Sequence, residues 1–377
     1  MERLEDIKYF DYTATTPVDD EVLNTYVNTT KKFFANTTSL HYLGEESKHM
    51  YEKCMNMIKD ILNVKHHNLV FTSNATEANN LAIFGICDKY KNSKVISTKI
   101  EHPSVYNTMK MIEKNHDVVY LDIKNDGRID LDALKKEIDD NTILVSIMWV
   151  NNIIGTIHDI KEIIKICKEY PKCHLHVDCV QGICKVNPDF DFNDIDLFTF
   201  STHKLYGPKG IGGLFYKDSI DLEKRIFGST SQYSIKPGTL DVSLIASSAK
   251  CFKKFYPLIE ENRKDVKDKF LYLYNHLKDN DKITINTPLD NITYYILSLS
   301  IRGIKGETIV HALEQEKIYV STGSSCSSKS NDIEKTIYAL TKDEELARSS
   351  IRISLSFKTT YEEIDALIKA LNKITKK

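Results

Sequence analysis

In DLFTFSTHKLYGPKGIGGLFY, residues 196–216, a short apolar run gives way to the polar string Ser201, Thr202, His203 and Lys204, then to a glycine-rich turn and a second apolar run at Gly213–Tyr216. Runs of this kind, rich in aromatic and aliphatic residues and bounded by turn residues, read as buried strands. The same texture recurs upstream at Leu69–Phe71, Lys94–Ser97, Val118–Leu121, Thr142–Ile147 and His174–Val177, with helical patterns between most of the runs. Strands that are apolar almost throughout and separated by helices predict a mainly parallel sheet covered on both faces, an α/β domain. Amphipathic helical stretches near 18–34 and 45–62 precede it.

Around residue 255 the texture changes. FYPLIEENRKDVKDKFLYLYNHLKDN, residues 255–280, is a highly charged helical stretch that could serve as a hinge helix. The remainder reads as a smaller α+β unit, with strands at Tyr294–Ile301 and Ser350–Ser356 and helices near 306–316, 331–340 and 360–374. Between them STGSSCSSKSN, residues 321–331, is a run of small polar residues that predicts a mobile loop.

The chain has 377 residues, 41% hydrophobic and 28% charged, which is enough to bury substantial cores in about two or three domains. Its formal net charge is -2, from 51 basic and 53 acidic residues, so nothing at the whole-chain level points to nucleic acid or an anionic membrane. No apolar stretch is long enough to span a bilayer, and MERLEDIKYF lacks the features of a secretion signal, so a cytoplasmic protein is expected. The 8 cysteines lack framework spacing and read as reduced thiols. Cys173, Cys179 and Cys184, with His174 and His176, lack the C-x-x-C spacing of structural zinc sites, so no metal is expected.

In open parallel sheets, ligands bind beyond the carboxyl ends of the strands. After Leu69–Phe71 comes TSNATEANN, where Thr76 could open a helix and offer free backbone N–H groups to a phosphate, or serve as a plain N-cap. Asp178 follows one strand and Lys204 another. Lys204 alone reads as a solvated lysine, but an acid and a lysine at neighbouring strand ends are what a pyridoxal cofactor needs, one for its ring nitrogen and one for its aldehyde. His102, in IEHPSV, could stack on such a ring or cap the next helix. Arg352 shares one face of SIRISLS with serines and could hold a substrate carboxylate with a two-pronged hydrogen bond. Cys326, among serines and a glycine, has little to pack against and reads as a reactive thiol.

Taken together, YFDYTATTPV, NLVFTSNATEANNLAI, KIEHPSV, TILVSIMWVNNIIGTIHDI, HVDCVQG, FSTHKLYGPKGIGGLFY, PGTLDV, STGSSCSS and SSIRISLS resemble, in order and over nearly the whole chain, the cysteine desulfurases of the class V aminotransferase family. The resemblance implies a fold-type I pyridoxal 5'-phosphate-dependent transferase. Residues 16–255 would form the large domain, with a mainly parallel sheet, and 1–15 with 256–377 the smaller α+β domain. It implies that Lys204 binds the cofactor aldehyde, Asp178 its pyridine nitrogen and His102 its ring face. Ala75, Thr76, Ser201 and His203 fall on phosphate-binding positions, and Asn152 and Gln181 on positions that bond the ring and its phenolic oxygen. Thr239 matches a threonine reaching the neighbouring subunit's phosphate, which implies a homodimer. Asn36 and Arg352 match the contacts to the carboxylate of the substrate, L-cysteine. Cys326 matches the thiol that takes the sulfur as a persulfide, in the longer loop of the nitrogen-fixation and housekeeping branch.

The sulfur would pass to an acceptor protein, in iron–sulfur cluster assembly or tRNA thiolation. The chain ends at ITKK, without the longer tail some relatives use to grip a scaffold. A selenocysteine lyase, a cysteine β-lyase or a degenerate non-enzymatic scaffold are the rival readings. Departures from the family pattern include Ile153 for Glu, Ala35-Asn36-Thr37 for Gly-Asn-Pro, Lys236 for Arg within GSTSQYSIKPGT, and Asn74 for Gly, which is tolerable if the backbone there is left-handed.

Overall fold

The computed structural model describes residues 6–323 and 333–376. A seven-stranded sheet runs in the spatial order His67–Thr72, Gly212–Lys217, Leu197–Ser201, His174–Asp178, Thr142–Met148, Lys94–Thr98, Asp117–Leu121. Gly212–Lys217 is antiparallel to both neighbours, and every other pairing is parallel. The exception follows from connection length. Only a short turn, with Lys204 in it, links Leu197–Ser201 to the next strand, too little chain for a parallel crossover.

Both faces of the sheet are covered, as the apolar runs predict. Along each strand, alternate residues enter two different cores. Val70, Leu144, Leu197 and Leu214 pack with Ala78, Ile83 and Ile86 of the helix Ala75–Cys87 and with Val105 and Met109 of the helix Pro103–Ile112. On the opposite face Phe71, Val145, Val177, Phe198 and Phe215 pack with Trp149 and with Ile245, Ala249 and Phe252 of the helix Val242–Phe255. Phe198 and Phe215 stack with centroids 4.4 Å apart, which fixes the antiparallel pair to this core.

A separate core lies among the antiparallel strands Ile283–Ile285, Ile296–Ile301 and Ser350–Ser354 and the helices Ile259–Leu277, Gly306–Glu314 and Tyr361–Thr375. Phe270, Leu273, Leu297, Leu299, Ile351, Ile353, Leu367 and Leu371 fill it. Phe10 is buried in it too, because the strand Lys8–Tyr9 pairs with Ile318–Tyr319. The strand expected from Tyr294 begins at Ile296, since Tyr294 has φ +65° and is off the strand conformation. The helix expected from 45 opens earlier, at Tyr42, because His41 caps it: Nδ1 accepts the Gly44 N–H at 3.3 Å. The predicted loop around Cys326 falls largely outside the described residues. Among those described, no helix is long and apolar enough to cross a membrane.

The turn after His174–Asp178 is clamped at Gly182. A Cβ there would lie 2.2 Å from Trp149 Cε3, so only glycine lets the turn lie on the indole. Gly182→Ala should destabilise the protein by about 1–3 kcal/mol through overpacking, read as a lower urea midpoint. An unchanged midpoint would mean that Trp149 moves aside freely.

Candidate active site

A cavity of about 530 Å³ opens at the carboxyl ends of the central strands, lined in part by Ala75, Thr76, His102, Asp178, Gln181, Lys204 and Arg352. Its chemistry is set residue by residue by the elements beneath it.

Asn74 caps the helix Ala75–Cys87, its Oδ1 accepting the Glu77 N–H at 2.9 Å. The amides of Ala75 and Thr76 then have no intrahelical acceptors and lie at the positive end of the helix. The left-handed backbone expected at Asn74 is not found: φ is −172° and ψ 175°, an extended N-cap conformation for which asparagine is well suited. Gly212 closes the cradle from the sheet side. A Cβ there would meet Phe200 O at 2.7 Å and Ala75 N at 3.1 Å. Nearby, the Ser201 hydroxyl is buried with no hydrogen-bond partner among the described residues.

Asp178 ends its strand with both carboxylate oxygens engaged. Oδ1 accepts the Val180 N–H at 3.0 Å and Oδ2 accepts Asn79 Nδ2 at 2.9 Å. Asn79 is fully buried, its Oδ1 accepting the Thr199 hydroxyl at 2.6 Å. Its Nδ2 also meets Ser104 Oγ at 2.9 Å, and Ser104 Oγ lies 2.8 Å from His102 Nδ1. One buried network therefore orients the carboxylate and the imidazole together. His102 Nδ1 also accepts the Ser104 N–H at 3.1 Å, which leaves Nε2 to carry the proton of the neutral ring. Burial lowers the pKa of His102, and burial followed by the Lys204 charge takes His203 down to about 3. The capping role read for His102 is found, at the helix Pro103–Ile112, and the residue also lines the cavity.

Lys204 sits in the turn after Leu197–Ser201, donating to Thr13 O at 2.6 Å and Ala14 O at 2.5 Å. Burial, then the Arg352 charge, brings its ammonium down to about 8, so it is no solvated lysine. Arg352 is only 3% exposed. It donates to Asn152 O at 3.0 Å and to Asp11 Oδ1 at 3.0 Å, while its Nε has no partner among the described residues.

Not every candidate is gathered here. Asn36 lies in an exposed loop, its Oδ1 accepting the Thr38 N–H at 3.1 Å, and Thr239 is exposed; neither lines the cavity. Cys326 lies outside the described residues, but Gly323 and Ile333 on either side of its loop line the cavity. Ile153 packs with Ile154, Ile337, Leu346 and Ala347, so an apolar plug stands where the family pattern has a carboxylate.

Sequence reading missed Asn79, Ser104 and two buried carboxyls. Glu101 is raised to about 8 and Glu334 to about 7, chiefly by burial, and both line the cavity. The available signal was polar residues on otherwise buried faces, as with Asn79 in the apolar helix ATEANNLAIFGIC.

A family model described as aminotransferase class-V matches residues 8–367. The chain belongs to the aminotransferase class-V family. Among curated relatives it is 37% identical to "Cysteine desulfurase IscS" of Buchnera aphidicola subsp. Baizongia pistaciae, over 97% of this chain and 91% of that one. Among solved structures it is similar to "NIFS-LIKE PROTEIN", with TM-score 0.91, 30% identity and coverage of 98% and 99% of the two chains. It is also similar to "SspA in complex with cysteine", with TM-score 0.81, 29% identity and coverage of 94% and 100%. Class-V enzymes depend on pyridoxal phosphate. The residues fit that group: a helix N-terminus, a glycine cradle and an unpartnered serine for a phosphate, a depressed lysine for an aldehyde, and a braced carboxylate.

Because Lys204 titrates near 8, its free amine should dominate at pH 9, where ordinary lysines near 10.4 remain charged. Reductive methylation of the cofactor-free protein, mapped by mass spectrometry, should find the Lys204 rate half-maximal about two pH units below that of exposed lysines. A common midpoint would remove the depressed lysine.

Proposed function

We propose that this chain is a cysteine desulfurase, converting L-cysteine to L-alanine and leaving the sulfur as a persulfide on Cys326. The observation that carries this reading is the convergence of Lys204, Asp178, His102 and Arg352 on one cavity flanked by both ends of the Cys326 loop. The relatives named for the same activity support it.

The cofactor is pyridoxal 5'-phosphate, which when bound supplies an aldehyde for the substrate amine and a ring that withdraws electrons from Cα. Ala75, Thr76, Ser201 and His203 hold its phosphate, with Thr239 reaching it from a partner subunit. Asn152 and Gln181 bond the ring and its phenolic oxygen. Asp178, oriented by the N–H donors of Val180 and Asn79, is the carboxylate partner of the ring nitrogen. His102 covers the ring face.

Lys204 takes the α-proton of the substrate, a role its depressed pKa suits because the free amine is accessible near neutral pH. Arg352 holds the substrate carboxylate, with Asn36 as a further contact. Cys326 as thiolate attacks the substrate sulfur and the Cβ–S bond breaks. L-Cysteine and the enzyme thiol become L-alanine and an enzyme persulfide, with atoms and electrons balanced. A sulfur-acceptor protein then takes the terminal sulfur, as the first step of iron–sulfur cluster assembly or tRNA thiolation.

The reading includes a homodimer. Large apolar side chains stand exposed at Phe34, Leu40, Tyr42 and Leu43 and again at Phe227 and Tyr233, more than a lone soluble chain gains from showing to water. It also includes the division into 16–255 and 1–15 with 256–377, and a reducing, cytoplasmic setting in which Cys326 stays a thiol.

Holoenzyme given L-cysteine should form alanine and an alkylation-trappable persulfide on Cys326. In Cys326→Ala the persulfide should vanish while the bound cofactor and its response to cysteine persist. Wild-type rates of alanine formation by that variant without added thiol would replace this reading with a β-lyase. Arg352→Lys keeps a cation against Asp11 but loses the planar fork, so KM for cysteine should rise about 10-fold, the worth of one charge-assisted hydrogen bond, at unchanged cofactor content. An unchanged KM would take Arg352 out of the substrate site.

A further inference from the structure

Lys185 is a buried lysine with no carboxylate within ion-pair distance among the described residues. Lysines are almost never fully buried unless paired, so its presence calls for a reason other than stability. Among the described residues its side chain hydrogen-bonds to a site residue: Nζ donates to Gln181 Oε1 at 2.9 Å. At the other end of that amide, Gln181 Nε2 donates to Thr13 O at 3.1 Å, the same carbonyl that accepts from Lys204.

We infer that Lys185 is a positioning residue: by occupying Gln181 Oε1 it dictates that the N–H end of that amide, and not its carbonyl, is presented to the cofactor's phenolic oxygen. The inference rests on the proposed cofactor site. An amide's two ends are nearly the same size, so packing alone cannot choose between them, whereas a donor on one end and an acceptor on the other can. Thr13 O supplies the acceptor and Lys185 the donor.

The backbone brings Lys185 to that place. Gln181 and Lys185 lie in one turn, closed by Gly182 N–H to Cys179 O at 3.1 Å and Lys185 N–H to Gly182 O at 3.0 Å. Cys184 adopts φ +58°, and Gly182 lies against Trp149. Behind the lysine a cavity of about 20 Å³ is lined also by Lys204, Tyr206, Asn262 and Tyr295, enough for one water to take a further Nζ donor. The titratable and charged groups acting on Lys185 are Lys204, Cys184 and Arg352, with Tyr206 and Tyr295 across the small cavity. Burial first, then Lys204, brings Lys185 down to about 7. A neutral amine still donates, so the arrangement survives on either side of that pH.

The test reads the cofactor spectroscopically. An N–H on the phenolic oxygen draws off negative charge that would otherwise steady the proton on the imine nitrogen. Losing the N–H should therefore raise the pH midpoint of the visible absorption band of lysine-linked cofactor. Lys185→Met holoenzyme, close in length but without a donor, should show that midpoint raised by about one pH unit, the tenfold effect of one hydrogen bond to a charged group. Gln181→Glu should shift it in the same direction, and Lys185→Arg should restore the wild-type value. A role confined to packing would lower the urea midpoint of Lys185→Met and leave the optical midpoint alone.

An unmoved optical midpoint in Lys185→Met overturns the inference even where alanine is formed from cysteine. A moved midpoint in an enzyme that makes no alanine upholds it and removes the desulfurase reading. A measurement on the wild type covers failure of the variant to fold. The chain has three glutamines, Gln181, Gln232 and Gln315, so ¹⁵N-glutamine labelling gives a sparse side-chain amide spectrum. Gln181 should exchange its amide protons slowly, and exchange as fast as that of exposed Gln315 overturns the inference.

Discussion

The segment Asp11–Thr16 is a constraint on which the whole site depends, because it crosses from one hydrophobic core to the other and gives its backbone to the buried cations. Phe10 is fixed in the core of the antiparallel sheet, while Tyr12 packs in the core beneath the large sheet. Between and beyond them the polar groups are shared out. Asp11 meets Arg352, Thr13 O takes both Lys204 and Gln181, and Ala14 O takes Lys204. Thr15 meets His203 at 3.2 Å, and the Thr16 hydroxyl accepts the Tyr206 N–H at 2.8 Å. The segment turns at Tyr12–Ala14, where Asp11 O accepts the Ala14 N–H at 2.9 Å, and this short turn leaves Thr13 O and Ala14 O free for the lysine, which a continuing helix would not. The segment thereby couples the position of Arg352, which grows from the second core, to that of Lys204, which grows from the first.

Such crowding of cations in a water-poor space is costly, and the pKa pattern records how the cost is met. Lys204 and Lys185 are brought down toward neutrality, His102 and His203 are held neutral, and Glu101 and Glu334 are raised until protonation is easy. The Asp178 carboxylate accepts one N–H donor on each oxygen, from Val180 and from Asn79. Within the cavity Lys204, Glu101 and Glu334 are therefore held near neutrality before any ligand binds.

How much of this was legible follows from the range of each interaction. The strands were readable because burial on both faces leaves apolar runs, and their ends shifted by a residue or two where the ladder continues into polar residues such as Thr72, Asp178 and Ser201. Lys204, Asp178 and His102 were readable because they sit at strand ends or in the turns just beyond, where a ligand can reach them. The brace between Asn79 and Asp178 was not, since it joins residues 99 apart in the chain and nothing local to either marks the other. Lys185 was hidden for a similar reason. Its four-residue spacing from Gln181 suggests a helix face, whereas a left-handed residue at Cys184 makes the contact.

The departures from the family pattern gain a physical account on the same terms. GSTSQYSIKPGT builds three successive left-handed residues, Gln232, Tyr233 and Ser234. That is a strained arrangement for non-glycine residues and needs outside support. Gln232 provides it, accepting the Phe71 N–H at 2.6 Å and donating to Phe71 O at 3.0 Å, so the strained turn is stitched to the edge strand of the large sheet. The stitch brings Lys236 within 3.5 Å of Glu77 in the first turn of the phosphate-side helix. A lysine suffices there, because pairing with a single carboxylate oxygen asks for charge and not for a planar fork. Ile153 follows the same logic in reverse: with no charge to satisfy, it packs among Ile154, Ile337 and Leu346 and adds apolar contact that seats the helix Lys335–Thr341 beside the cavity.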